Sequence, residues 1–112
     1  MLLCSITTMI KVHTTLLKNL KSIRRFGILA SYSRQKRRAT WFHNVSEKSW
    51  GENHVRLNHD AQALEIVHIY VDVPKSRLKQ HGKGLFYVMG DVPASAIRRV
   101  TLVTRVEQEL PV

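Results

Sequence analysis

Val67, Ile69, Val71 and Val73 alternate with His68, Tyr70 and Asp72, and this period of two predicts a strand over Ile66–Val73 with one apolar face. Burying the four aliphatic side chains contributes roughly 1.5 to 3 kcal/mol each as an upper bound, which puts the strand at the centre of the core. Pro74 ends it. A shorter alternation over Ile10–His13 predicts a first strand that delivers His13 and Thr14 to the rim of a sheet. From Thr15, a candidate N-cap, Leu16, Leu20, Ile23 and Phe26 recur at helical spacing, with Leu17 widening the stripe and Lys18, Lys21 and Arg25 off it. Gly27 permits the left-handed residue that closes such a helix.

The remaining pattern is less periodic. Ser31 to Arg38 is polar and basic with no apolar spacing, which predicts an exposed loop, and β-prone Ala39–His43 predicts a second strand carrying Trp41 or His43 to the same rim. Ser49 and Glu52 have the spacing of a capping box, so a second helix is expected from Trp50 to His59, with Trp50, His54 and Leu57 on one face. Lys75 to Lys83 reads as a basic connection with one helical turn, Leu85–Met89 as a strand, and Gly90-Asp91 as a turn. Val92 to Ile97 suits a short turn, Arg99–Val106 a closing strand, and residues 107–112 a tail. There is no internal repeat, and two helices set among several strands imply an α+β domain.

A chain of 112 residues has room for one domain, expected over residues 9–106 with 1–8 as an extension, translation starting at Met1 or Met9. At 44% hydrophobic and 23% charged residues, the chain has a globular rather than a disordered composition. The formal net charge of +10 draws phosphates, nucleic acid or anionic membrane surfaces without choosing among them. Cys4 is the only cysteine, so no intrachain disulfide forms, and a reduced, cytoplasmic setting is expected. No stretch approaches the ~20 apolar residues of a membrane span, so no membrane partner is expected.

His13-Thr14, followed by Asn19-Leu20-Lys21-Ser22-Ile23-Arg24-Arg25-Phe26-Gly27-Ile28 and later by Asp91-Val92-Pro93-Ala94-Ser95-Ala96-Ile97, resembles the ADP-ribosyltransferase superfamily in order and spacing. That superfamily includes DNA-modifying toxins and RNA 2'-phosphotransferases, and the likeness spans about Lys11 to Val106. Each motif alone is common; their order carries the resemblance. It implies a compact fold of small antiparallel sheets around a cleft with two main helices, and NAD as substrate. It further implies that His13 bonds the NAD ribose, that the backbone beside Thr14 holds the carboxamide, and that Trp41 or Phe42 flanks the nicotinamide.

One departure concerns the chemistry. Many members carry a glutamate at the start of the strand before the V-P turn, where Leu85 and Phe86 stand here. Three outcomes remain open: another acid such as Glu52 or Asp72 moves in, transferase activity is lost, or the chain follows the phosphotransferase variant. For that variant His54 and Arg56 join His13 as expected catalytic groups, and Arg34, Arg37 and Arg38 are expected to hold phosphate or nucleic acid, since guanidinium forks match phosphate oxygens. The implied function is transfer of ADP-ribose, or phosphotransferase chemistry, on a nucleic acid or phosphate-bearing acceptor. The alternative is a non-catalytic basic protein that binds nucleic acid or serves in an assembly such as a ribosome. His54 and His59, five apart, suit no single helix face, so no metal site is read. The oligomeric state stays open.

Overall fold

A computed structural model describes residues 7–30, 39–47, 49, 51–53, 55, 65–103 and 107–112. Seven strands build one antiparallel sheet: β1 (Thr8–Leu16), β2 (Ala39–His43), β3 (Ile66–Pro74), β4 (Leu78–Gln80), β5 (Leu85–Met89), β6 (Ile97–Val103) and β7 (Glu107–Leu110). Their spatial order is β4-β5-β2-β1-β3-β6-β7. With helix α1 (Leu20–Phe26) and a second helical stretch at 49, 51–53 and 55, this is a compact mixed domain of mostly antiparallel sheet.

The four aliphatics of β3 are at most 1% exposed and lie at the centre of the larger core cluster, as their alternation predicts. The other side of β3 is not left to water. His68 and Tyr70 are also buried, so the strand is covered on both faces. Leu20 and Ile23 of α1 cover the first face together with Ile28, Phe42, Val88, Val92, Ile97 and Val100. On the second face Leu16 and Ile66 pack against Val55 of the second helix.

Three elements differ from the pattern-based expectation. β1 extends to Leu16, because Thr14, Thr15 and Leu16 pair with His68, Val67 and Ile66 of β3. Tertiary pairing thus overrides the helical spacing at Thr15 and Leu16, and a 3-10 turn (Leu17–Asn19) precedes α1. Thr15 is therefore no N-cap; its hydroxyl accepts a hydrogen bond from Asn19 Nδ2 at 3.0 Å. Leu78–Gln80 is an edge strand on β5, where one helical turn is expected. Glu107–Leu110, expected as tail, pairs with Val100 to Val103 as the opposite edge. Thr8, assigned to an extension, already belongs to β1.

Two of the sequence motifs meet in space. Gly27 ends α1 at φ 82°, donating its N–H to Ile23, and Ile28 exchanges two backbone hydrogen bonds of 2.8 and 2.9 Å with Val92. A Cβ at Gly27 would collide with the Val92 carbonyl, so the helix end and the V-P turn require glycine at their contact.

The seam between β1 and β2 positions the site. One registered pair, Val12 with His43, joins these strands, whereas β1 pairs with β3 along its full length and β2 with β5 likewise. The sheet is in effect two half-sheets, β4-β5-β2 and β1-β3-β6-β7, meeting at a single point.

Candidate functional site

Immediately beyond the Val12–His43 pair the strands part, and His13 sits at the fork. Its Nδ1 lies 2.8 Å from the Trp41 carbonyl oxygen, so Nδ1 carries the hydrogen and donates, leaving Nε2 as the acceptor of a neutral ring. Burial pushes the imidazole below its ordinary pKa, and the Trp41 carbonyl opposes that shift by favouring the cation. The Phe42 ring stands edge-on to His13 at 5.9 Å. His13, Thr14, Trp41 and Phe42 are neighbours along the seam, but their side chains do not converge on one groove: alternation sends His13 and Phe42 to one face and Thr14 and Trp41 to the other.

Phe42 is 1% exposed and belongs to the core, so its ring has no free face for a ligand. Alternation along β2 sends Trp41 to the opposite side, where its indole lies 5.1 Å from Tyr87 and 5.5 Å from His81. The imidazole of His13 thus meets the backbone of Trp41, while the two rings occupy opposite sides of the sheet. Trp41 Nε1 is buried with no hydrogen-bond partner, an orphan donor of a kind that is rare away from functional positions.

Thr14 lies inside a buried polar chain. Its Oγ1 is 2.7 Å from His43 Nε2 and 2.8 Å from His68 Nδ1; His68 Nε2 is 3.0 Å from Glu52 Oε1, and His43 Nδ1 is 3.0 Å from the Asn44 carbonyl. Thr14 has one hydrogen to give and two lone pairs that accept, so it donates to one imidazole and accepts from the other. Which is which follows from His43. Burial pushes that ring down to about 4; the Asn44 carbonyl opposes this, the charges of His68 and His13 add to it, and Glu52 opposes it. His43 is neutral, donating through Nδ1 and accepting from the Thr14 hydroxyl, so the Thr14 oxygen accepts in turn from His68 Nδ1.

This order of hydroxyl, imidazole and carboxylate has the connectivity of a nucleophilic triad, but the hydroxyl donates to His43 and accepts from His68, so His68 is not placed as its base. Gly51 packs so closely that a Cβ there would strike both His43 and Thr14 Oγ1. The chain fastens the second helix to the sheet.

A second polar cluster lies on the α1 side of β1. Lys11 is only 4% exposed; its Nζ donates to Asn44 Oδ1 at 2.5 Å and stands 3.9 Å from the centre of the Phe86 ring. Desolvation lowers its pKa, with the nearby Glu47 carboxylate opposing. Glu47 rests against Gly84, whose φ of 76° and missing side chain make room for it, directly before the start of β5. The alternation over Ile10–His13 treats Lys11 as a solvated position and gives no signal for Glu47, because both are defined by the 3-10 turn Val45–Glu47 folding back under the seam.

The two acids considered as replacements for the missing glutamate are engaged elsewhere. Glu52 bonds His68, and Asp72 pairs with Arg98 at 2.7 Å. That pair lines a shallow groove of about 290 Å³ beside the V-P turn with Arg77 and Ser95, remote from His13 in the sheet. His54, Arg56, Arg34, Arg37 and Arg38 lie outside the described residues. Among the described residues no group of three or more His, Cys, Asp or Glu is arranged to hold a metal ion. No described helix is long and apolar enough to cross a membrane. Comparison with protein-family models, curated proteins and solved structures returned no match.

Proposed function

We propose that this chain handles NAD as an ADP-ribosyltransferase-type domain, acting on a nucleic acid or phosphate-bearing acceptor by ADP-ribosyl transfer or the related phosphotransferase chemistry. The observation that carries the reading is the fork. Two half-sheets part immediately after one registered pair, and His13, the residue the resemblance assigns to the ribose, stands where they part with Nδ1 anchored to the Trp41 carbonyl. A ring held in that way presents one fixed tautomer, whose Nε2 accepts a hydrogen bond from a ribose hydroxyl. The V-P turn and the G-I helix end, contributed by distant parts of the chain, also meet.

In the proposed reaction the bond between nicotinamide and ribose C1' breaks with its electrons going to nicotinamide, and an acceptor oxygen bonds to C1' and loses its proton. The cationic sugar formed on the way calls for a nearby carboxylate. We assign that role to Glu47, whose carboxylate rests against Gly84 directly before β5, where Leu85 stands in the place of the family's glutamate, and which also neighbours Lys11. Trp41 acts from the other side of the sheet and is not the ring that flanks nicotinamide in this reading.

Incubation with nicotinamide-labelled NAD and single-stranded or phosphate-terminated acceptors tests the proposal. Release of labelled nicotinamide is expected, reduced at least 100-fold in His13→Ala and Glu47→Gln, the order of a lost positioned or electrostatic group. Absence of release from the wild-type chain, together with a melting temperature unmoved by millimolar NAD, overturns it.

A further inference from the structure

A row of side chains crosses the smaller half-sheet on the side away from α1. Lys79 on β4 lies opposite Tyr87 on β5, and Tyr87 lies opposite Trp41 on β2, so the three share one face. His81 joins them from the turn after β4, edge-on to Trp41 at 88° and 6.5 Å from Tyr87. Trp41 and Tyr87 are half-buried, whereas Lys79, His81 and Lys83 are exposed. Partly exposed rings gathered in a row can serve as stacking platforms rather than core.

The segment that carries the outer strands of the row is basic, although the Glu47 carboxylate rests against Gly84. Between Pro74 and Gly90 the chain carries Lys75, Arg77, Lys79 and Lys83 and no carboxylate. Arg77 is spent on the carbonyls of Met89 and Asp91, but Lys79 and Lys83 make no ion pair among the described residues. The buried, unpartnered Nε1 of Trp41 belongs to the same cluster. Aromatic rings with one lysine in their row and another in the adjoining turn match bases and phosphates together, and bases offer their faces only when unstacked from a duplex.

We propose that the Lys79–Tyr87–Trp41 row, with His81 and Lys83, binds single-stranded nucleic acid: bases stack on Tyr87 and His81, and the two lysines contact phosphates. The inference names the acceptor class of the proposed function and rests on that reading only for the acceptor role; binding itself requires no NAD.

The test is anisotropy of a labelled twelve-nucleotide single strand titrated with the full chain, without NAD, at several salt concentrations. Removing both phosphate contacts in Lys79→Gln/Lys83→Gln is expected to flatten the slope of log K against log salt by about 1.4, at about 0.7 per single-strand contact. Lys18→Gln/Lys21→Gln on the α1 side, an equal loss of charge, is expected to change it by less than half as much. Tyr87→Leu is expected to weaken binding at least fivefold, the lower end of one lost stacking contact. Equal slopes for the two lysine variants overturn the proposal, as does binding of anionic phospholipid vesicles that needs the same two lysines and outcompetes the strand. The lysine comparison decides the matter if Tyr87→Leu does not fold. Strand binding without nicotinamide release leaves this inference standing and removes the transferase reading; the converse result removes only this inference.

Discussion

Thr14→Val isolates the buried proton chain. Valine keeps the branched shape at a position paired with His68 in the sheet, so packing changes little while the hydroxyl linking two imidazoles disappears. His43 Nε2 then loses its donor and His68 Nδ1 its partner, and each buried polar atom left unsatisfied costs about 1 to 3 kcal/mol. The expected destabilisation is about 2 to 6 kcal/mol, a large fraction of the 5 to 15 kcal/mol typical of a whole domain. Urea unfolding at pH 7, followed by far-UV circular dichroism, measures it as a fall in midpoint at constant slope. At about 4 °C per kcal/mol for a chain of this size, the melting temperature falls by about 8 to 24 °C. Thr15→Val is the control, because Thr15 bonds only the exposed Asn19 side chain, and a change within about 0.5 kcal/mol is expected there. Equal losses in the two variants, or a loss below about 1 kcal/mol for Thr14→Val, would refute the account of Thr14 as the bridge.

Acid should destabilise the fold through His43. Its folded pKa of about 4 lies below the ordinary 6.5, so the unfolded chain takes up a proton first and stability falls as pH drops from about 6.5 towards 4. The loss from His43 is at most about 3.5 kcal/mol, at 1.4 kcal/mol per tenfold, with His13 adding in the same direction. Unfolding curves between pH 7 and 4 check the sign; stability rising over that window contradicts it. Gly27→Ala should cost more than Gly82→Ala: both have positive φ, but a Cβ meets the Val92 carbonyl at Gly27 and open space at Gly82. Thermal melts are expected to show about 1 kcal/mol for Gly82→Ala and at least twice that for Gly27→Ala, and equal losses would remove the helix-to-turn contact as a constraint.

Elements with strong local signals were readable from the sequence. The β3 alternation, the helix end at Gly27 and the V-P turn appear where the pattern predicts them, because each is encoded within a few residues; of the expected helical stripe only Leu20 and Ile23 are buried on α1, since Leu16 lies in β1 and Phe26 is exposed. What failed depended on distant partners. Thr15 and Leu16 carry helical spacing yet are drawn into β1 by β3, and Glu107 to Leu110 lack an apolar run because an edge strand needs only one paired side. At the site, the sequence leads to the expectation that the His13 and Trp41 rings share a cleft, whereas the register brings the Trp41 backbone to the imidazole and turns the indole away. Lys11, Glu47, His43 and His68 carried no motif. Their roles arise from the 3-10 turn and second helix folding over the seam, which no periodicity records.

The sheet order also constrains biosynthesis. β1 is near the start of the chain yet occupies the middle of the sheet, and its main partner β3 is made only after residue 65. At about 5 to 20 residues per second, some 3 to 12 s separate the completion of β1 from that of β3. During that interval a strand with Val12 and Leu16 on one side offers unpaired backbone groups to any other nascent chain. The molecule therefore passes through its most aggregation-prone moment before its centre exists, and ribosome-associated chaperones able to shield a short apolar strand should raise its yield more than any stabilisation of the finished domain.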